Sequence, residues 1–233
     1  MTADSGRYAI YFAPGPGTAL ARFGAEWLGY DVAAGTAATQ AAAPGVDLDR
    51  LRAITAEPRH YGFHATLKPP FALAPGTDAE GLVEAIAALA AHVAPFATPS
   101  LRLARIAGSL ALTLAEPCPA MQALADRCVR EFDRFRAPLA DTELQRRRRA
   151  GLSPRQEALL QRWGYPYVMD EFRFHMTLTA RLAAEESAIV ERALAPLVAP
   201  LCAAPLAVDA VSLFHQPAHD APFRLLQRYR LSG

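Results

Sequence analysis

The pentapeptide Phe-His-x-Thr-Leu occurs twice, as Phe63-His64-Ala65-Thr66-Leu67 and as Phe174-His175-Met176-Thr177-Leu178. Each copy alternates apolar and polar residues with period two, which predicts a β-strand with histidine and threonine on one face. In the second copy, Phe172, Phe174, Met176 and Leu178 form the expected buried face, with Arg173, His175, Thr177 and Thr179 opposite. In the first, Phe63, Ala65 and Leu67 point inward, and Gly62, His64, Thr66 and Lys68 share the other face. A chain that repeats such a strand must place two imidazoles, each beside a hydroxyl, on exposed sheet faces. That set suits a phosphodiester, because it supplies one base, one acid and two donors for phosphate oxygens.

Composition narrows the class. Hydrophobic content of 52% with 20% charged residues predicts a globular chain. At 233 residues and net charge +1, the whole sequence reads as one domain and not as a general nucleic-acid coat. Cys118, Cys128 and Cys202 are odd in number and form no CxxC pair, which points to reduced thiols and a cytoplasmic protein. Residues 1–6 are short and polar, unlike a signal peptide, and Glu84 and His92 interrupt the richest apolar stretch, so no membrane span is expected. Of the 24 basic residues only Lys68 is a lysine, four positions after His64.

Along the chain, Arg7–Ala13 reads as a strand stopped by Pro14-Gly15-Pro16-Gly17, and Thr18 caps a helix to about Leu28. Residues 33–46 read as loop, and Asp47 starts a helix ending near Thr55. Pro69-Pro70 is expected to end the first motif strand. Asp78 to about Val93 reads as an amphipathic helix, and a hairpin follows over Leu101–Ala115. Helices are expected from Pro119 to about Phe135, over Leu144–Arg149, and from a capping box at Ser153-Pro154-Arg155-Gln156 to Trp163. A helix over 185–201 and two closing strands complete the order. Each motif strand is followed by a long helix and two strands, an α+β duplication. It predicts a bilobal, pseudo-symmetric molecule: two antiparallel sheets facing a central cleft, outer helices, and a helical insertion at about 117–165.

The paired His-x-Thr-hydrophobic motifs resemble the two-histidine (2H) phosphoesterase superfamily over essentially the whole chain. Tyr61-Gly-Phe-His-Ala-Thr-Leu-Lys-Pro-Pro-Phe71, Asp170–Thr179, Arg7–Pro14 and Trp27–Asp31 look like its bacterial branch of phosphonate-metabolism proteins encoded near carbon–phosphorus lyase genes. The resemblance implies a metal-independent bilobal phosphodiesterase without cofactor, acting on cyclic phosphates or similar phosphodiester or phosphoanhydride esters, with His64 and His175 catalytic and Thr66 and Thr177 on the phosphate. His64 and His175 lie 111 positions apart, farther than in smaller members, and the insertion accounts for the difference.

In such a site one neutral histidine takes the water proton while a protonated one donates to the leaving oxygen. Lys68 and Arg173 are expected to neutralise developing charge, and Tyr11 to face the cleft from the first strand. Arg146–Arg149 and Arg155 are expected either to meet a further phosphate from a helical cover at about 138–165 or to lie on a solvated helical hairpin packed away from the site. The expected partner is a small phosphorylated substrate, with RNA 2′,3′-cyclic ends among the candidates, bound by a monomer. Two alternatives remain at this level. His60/His64 and His215/His219 have the spacing of metal pairs, although Gly62 and Pro217 argue against the helices they need. An RNA-end or nucleotide-binding module is the other, with Tyr8, Tyr11, Tyr61, Tyr165 and Tyr167 available to stack a base.

Overall fold

The structure, a computed structural model, describes residues 6–149 and 151–233. The expected polar N-terminus at 1–5 lies outside the described residues. The chain runs β1 (Arg7–Phe12), α1 (Ala19–Leu28), β2 (Tyr30–Asp31), β3 (Thr36–Ala37), α2 (Leu48–Arg59), β4 (Ala65–Phe71), α3 (Ala79–Ala91), β5 (Phe96–Ile106) and β6 (Ser109–Leu114). It continues through α4 (Pro119–Glu131), α5 (Asp141–Arg148), α6 (Pro154–Trp163), β7 (His175–Thr177), α7 (Ala184–Val198), β8 (Pro205–Val208), β9 (Ala210–Gln216) and β10 (Arg224–Arg230). Local chemistry sets several ends as expected. Thr18 accepts from the Ala21 amide, Ser153 and Gln156 form the capping box, and Gly29 and Gly164 close helices in the left-handed conformation.

The α+β class holds. The two sets of strands expected to face one another are instead joined edge to edge, in one antiparallel eight-stranded sheet of order β10-β9-β1-β4-β7-β6-β5-β8. The join is the single pair Ala65↔Met176, in the middle of both motifs. The duplicated halves also exchange strands. The hairpin that follows the first motif, β5–β6, pairs with β7, whereas β9, which follows the second, pairs with β1 beside β4. Strand β7 is therefore flanked on both sides by strands of the first half of the sequence, and β4 by β1 of its own half and by β7 of the other.

One face of the sheet carries the main core, where Ile10, Phe12, Leu67, Leu112, Met176 and Leu213 meet Leu82 and Ile86 of α3, Leu124 and Cys128 of α4, and Leu194 of α7. The other face has a smaller cluster, Ala9, Tyr11, Ala13, Phe214 and Phe223, of which Tyr11 lines a cleft. Trp27 of α1 spans the two halves, its indole N–H donating to the Leu178 carbonyl at 2.9 Å in the interior.

Four local readings change. The first of the two expected closing strands divides into β8, which pairs with β5, and β9, which pairs with β1 and β10. Helix α2 runs on through Pro58 to Arg59, because the tertiary packing of Ile54, Thr55 and Pro58 outweighs a proline in the last turn. Strand β4 continues through Pro69 and Pro70, with Phe71 pairing with Tyr8 across register shifts that relieve the missing amides. Residues 33–46 contain β3, which pairs with β2 in a short hairpin. Helix α4 belongs to the main core. Only the later part of the expected insertion reaches the cleft, held by α6 against α4 through Val129, Leu159, Val168 and Met169.

Candidate active site

Because Ala65 lies opposite Met176, extending the antiparallel register sets His64 beside Thr177 and Thr66 beside His175. The two motifs are thus related by an approximate two-fold axis through that pair, and the two histidines are diagonal neighbours, roughly 7–8 Å apart across the strands. All four side chains line a cleft of about 500 Å³.

Each imidazole is oriented in the same way. His64 Nδ1 lies 2.9 Å from the Gly62 carbonyl, and His175 Nδ1 lies 2.7 Å from the Arg173 carbonyl. A carbonyl can only accept, so both Nδ1 atoms carry the proton and both Nε2 atoms are left for the cleft. The Thr66 hydroxyl lies 3.3 Å from His64 Nε2. Tyr11 stacks on the His64 ring, centroids 3.8 Å apart and planes 22° from parallel, and Phe214 approaches the same ring at 6.2 Å. This apolar packing pushes the His64 pKa down to about 4, because burial penalises the charged ring more than the Gly62 carbonyl supports it; His175 lowers it further. Burial likewise raises the Tyr11 phenol well above its ordinary range.

The other sequence candidates divide. Tyr11 lines the cleft as expected. Lys68 does not. Tyr11 pairs with Thr66 but Ile10 pairs with Lys68, so β4 has one extra residue between these pairs and its alternation inverts. Lys68 consequently shares the core face with Ile10. It is 1% exposed, donates to the Val129 carbonyl at 3.1 Å, lies 3.7 Å from Asp133, and packs over the Phe71 ring. Burial lowers its pKa to about 8, against the pull of Asp133. Arg173 contributes its carbonyl to His175, while its exposed side chain is not part of the cleft lining. Lys68→Met should accordingly leave turnover within about twofold and lower stability by about 1–2 kcal/mol, read as a melting temperature some ~2–8 °C lower. A loss of activity in a protein of unchanged stability would return Lys68 to the site.

Of the arginines expected above the cleft, Arg146 and Arg147 line it. Arg148 pairs with Glu157 and Arg155 with Asp170, and neither these two nor Arg149 lines it. His60 accepts from the Gln216 amide at 2.7 Å and His215 packs on Tyr8 with the rings tilted by 35°, both outside the lining. No group of three or more His, Cys, Asp or Glu side chains placed to hold a metal ion occurs among the described residues. No helix among them is long and apolar enough to cross a membrane. Sequence reasoning missed Arg7 and Arg181. Arg7 is in strand phase with Tyr11, and Arg181 continues the Thr177–Thr179 alternation, so the same periodicity points to both.

Residues 66–224 match the family model described as protein of unknown function DUF1045. The chain belongs to that family. Two curated relatives share the name ribose 1,5-bisphosphate phosphokinase PhnN. The one from Janthinobacterium sp. (strain Marseille) is 41% identical over 231 residues, 97% of this chain and 51% of its own length. The one from Laribacter hongkongensis (strain HLHK9) is 34% identical over 221 residues, 94% of this chain and 50% of its own. This DUF1045 chain therefore spans about half the length of the curated relatives it matches. Among solved structures, E. coli LigT complexed with 3′-AMP aligns at TM-score 0.46 and 15% identity, and LigT complexed with NADP+ at 0.40 and 13%. Each alignment covers 97% of this chain and 98% of the other.

Proposed function

We propose that the chain is a 2H-type phosphodiesterase that hydrolyses a small cyclic phosphate of a ribose or nucleoside, using paired histidines and no metal. The observation that carries this reading is the pair of imidazoles tethered through Nδ1 to the main chain, each with Nε2 left for the cleft and a threonine hydroxyl beside it. His64, held neutral by its burial, is the base: its Nε2 lone pair takes a proton from water as the water oxygen bonds to phosphorus. His175, entering the cycle protonated, gives its Nε2 proton to the leaving ribose oxygen as the ester bond breaks. The product is a phosphomonoester. His64 then holds the proton that His175 has lost, and exchange with solvent restores both. Thr66 and Thr177 donate to the non-bridging oxygens.

The phosphokinase name of the relatives is best carried by the half of their length that this chain does not match. The sequence contains no Gly-x-x-x-x-Gly-Lys-Ser/Thr loop, and its one lysine is followed by Pro69. A ribose bisphosphate in that name supports a phosphorylated pentose as the product or substrate chemistry of the matching half.

Purified protein offered a panel of ribose and nucleoside cyclic phosphates should open at least one to a monoester, with the rate retained after prolonged chelation. Activity that is lost on chelation and restored only by zinc or manganese would overturn the reading. The pH profile of kcat/KM should show its acid limb near pH 4, the value of the buried His64. Below that pH the base is protonated and the rate falls tenfold per unit. An acid limb near 6.5 would assign the base to another group.

A further inference from the structure

Beside the two motifs, the cleft lining brings four guanidinium groups together from parts of the chain far apart in sequence. Arg7 comes from β1, Arg146 and Arg147 from α5, and Arg181 from the segment after β7. Glu57 is the only carboxylate among the described lining residues, and Glu143 behind α5 is shared by two of the arginines. Four positive charges against two negative leave an excess of two in the cleft of a chain whose net charge is only +1. A cyclic phosphodiester carries a single negative charge, and the motif threonines already supply donors to it.

The arginines are also held ready. Glu143 takes Arg146 through Nε at 2.6 Å and Nη2 at 2.7 Å, and Arg147 through Nε at 2.8 Å. Arg147 Nη1 donates to the Gly164 carbonyl at 2.9 Å, and its guanidinium lies over the Tyr165 ring. Each of these guanidinium groups has five N–H bonds and uses two, which leaves three apiece for an anion. Arg7 is aligned by a neutral partner, Gln216, so its charge is not cancelled there.

We propose that Arg146 and Arg147, with Arg7, form a subsite for a second phosphate group, so that the preferred substrate is a cyclic phosphodiester that also carries a phosphomonoester. This rests on the reading of the cleft as a phosphodiesterase site and names its substrate class. A terminal phosphate, near two negative charges at neutral pH, matches the excess charge and the bidentate fork of arginine.

The test compares ribose cyclic phosphate with and without a 5-phosphate, and uridine 2′,3′-cyclic phosphate with and without a 5′-phosphate. Wild-type protein should favour the phosphorylated member by ~10–100-fold in kcat/KM. Arg146→Gln combined with Arg147→Gln should erase most of that preference, largely through KM, while costing at most severalfold on the unphosphorylated member. Arg146→Gln alone, on an exposed side chain, should give part of the effect if the double variant proves unstable. Arg155→Gln, which removes the same charge away from the cleft, should preserve the preference. Calorimetric binding to His175→Ala protein separates this inference from catalysis: tighter binding of the phosphorylated member, lost in the arginine variants, supports the subsite even without turnover. Equal binding and equal kcat/KM for both members of each pair would overturn it and leave the phosphodiesterase reading standing.

Discussion

His64→Ala and His175→Ala are each expected to lower kcat by ~10²–10⁴-fold, the contribution of one positioned acid or base. Both act on the same transition state, so the double variant should be little worse than either alone. His64→Ala should also change how stability depends on pH. His64 is held neutral in the fold with a pKa near 4, whereas an unfolded chain binds that proton near 6.5. The unfolded state therefore carries more protons between these values, and stability rises with pH across that window. The contribution is fully present above pH 6.5 and is lost as pH falls through 4, a change on the order of 3 kcal/mol at most. His64→Ala should flatten this part of the stability curve, measured by urea denaturation from pH 4 to 7. A variant with undiminished turnover would remove His64 from the mechanism, and an unflattened curve would remove it as the acid-sensitive group.

Gly62→Ala should be nearly as damaging without touching a reacting group. Gly62 has φ +72°, and a Cβ there would lie 2.7 Å from Val32 Cβ. Left-handed strain and overpacking together cost about 2–4 kcal/mol, or roughly 4–16 °C in melting temperature. The displaced carbonyl is the one that fixes His64 Nδ1, so kcat should also fall by ~10²-fold at temperatures where the protein remains folded. Gly76→Ala separates the two effects. Its φ of +82° is equally left-handed, but no atom lies within 4 Å of the added methyl, so only about 1 kcal/mol and no kcat change is expected. Full activity in folded Gly62→Ala protein would show that the carbonyl tether is dispensable.

The second motif shows how far strand phase can be trusted. Phe174, Met176 and Leu178 are buried, and His175 and Thr177 face the cleft, as the alternation alone requires. The first motif obeys the same rule through Leu67 and breaks it at Lys68. The bulge before Lys68 is set by pairing with β1, and the lysine finds its partners on α4 and in the turn after it, sixty-odd residues away. Nothing local to Leu67-Lys68-Pro69 distinguishes that outcome from a continued strand.

What the sequence determined by itself is therefore what depends on nearest neighbours. The alternation of both motifs, the capping box at Ser153, the cap at Thr18 and the breaks at Gly29 and Gly164 are short-range properties, set by side-chain direction and by the orphan amides of a helix end. Tertiary structure alone decided how those pieces meet. The Ala65↔Met176 pair joins two expected sheets into one, and the exchanged hairpins interleave the halves. Tyr11 packed on His64 helps to bury that imidazole and lower its pKa, and the Arg147 bond to the Gly164 carbonyl ties α5, with Arg146 and Arg147, to the end of α6 beside the cleft. Each of these rests on contacts between residues distant in the chain, whose energies depend on burial and register that no local pattern encodes.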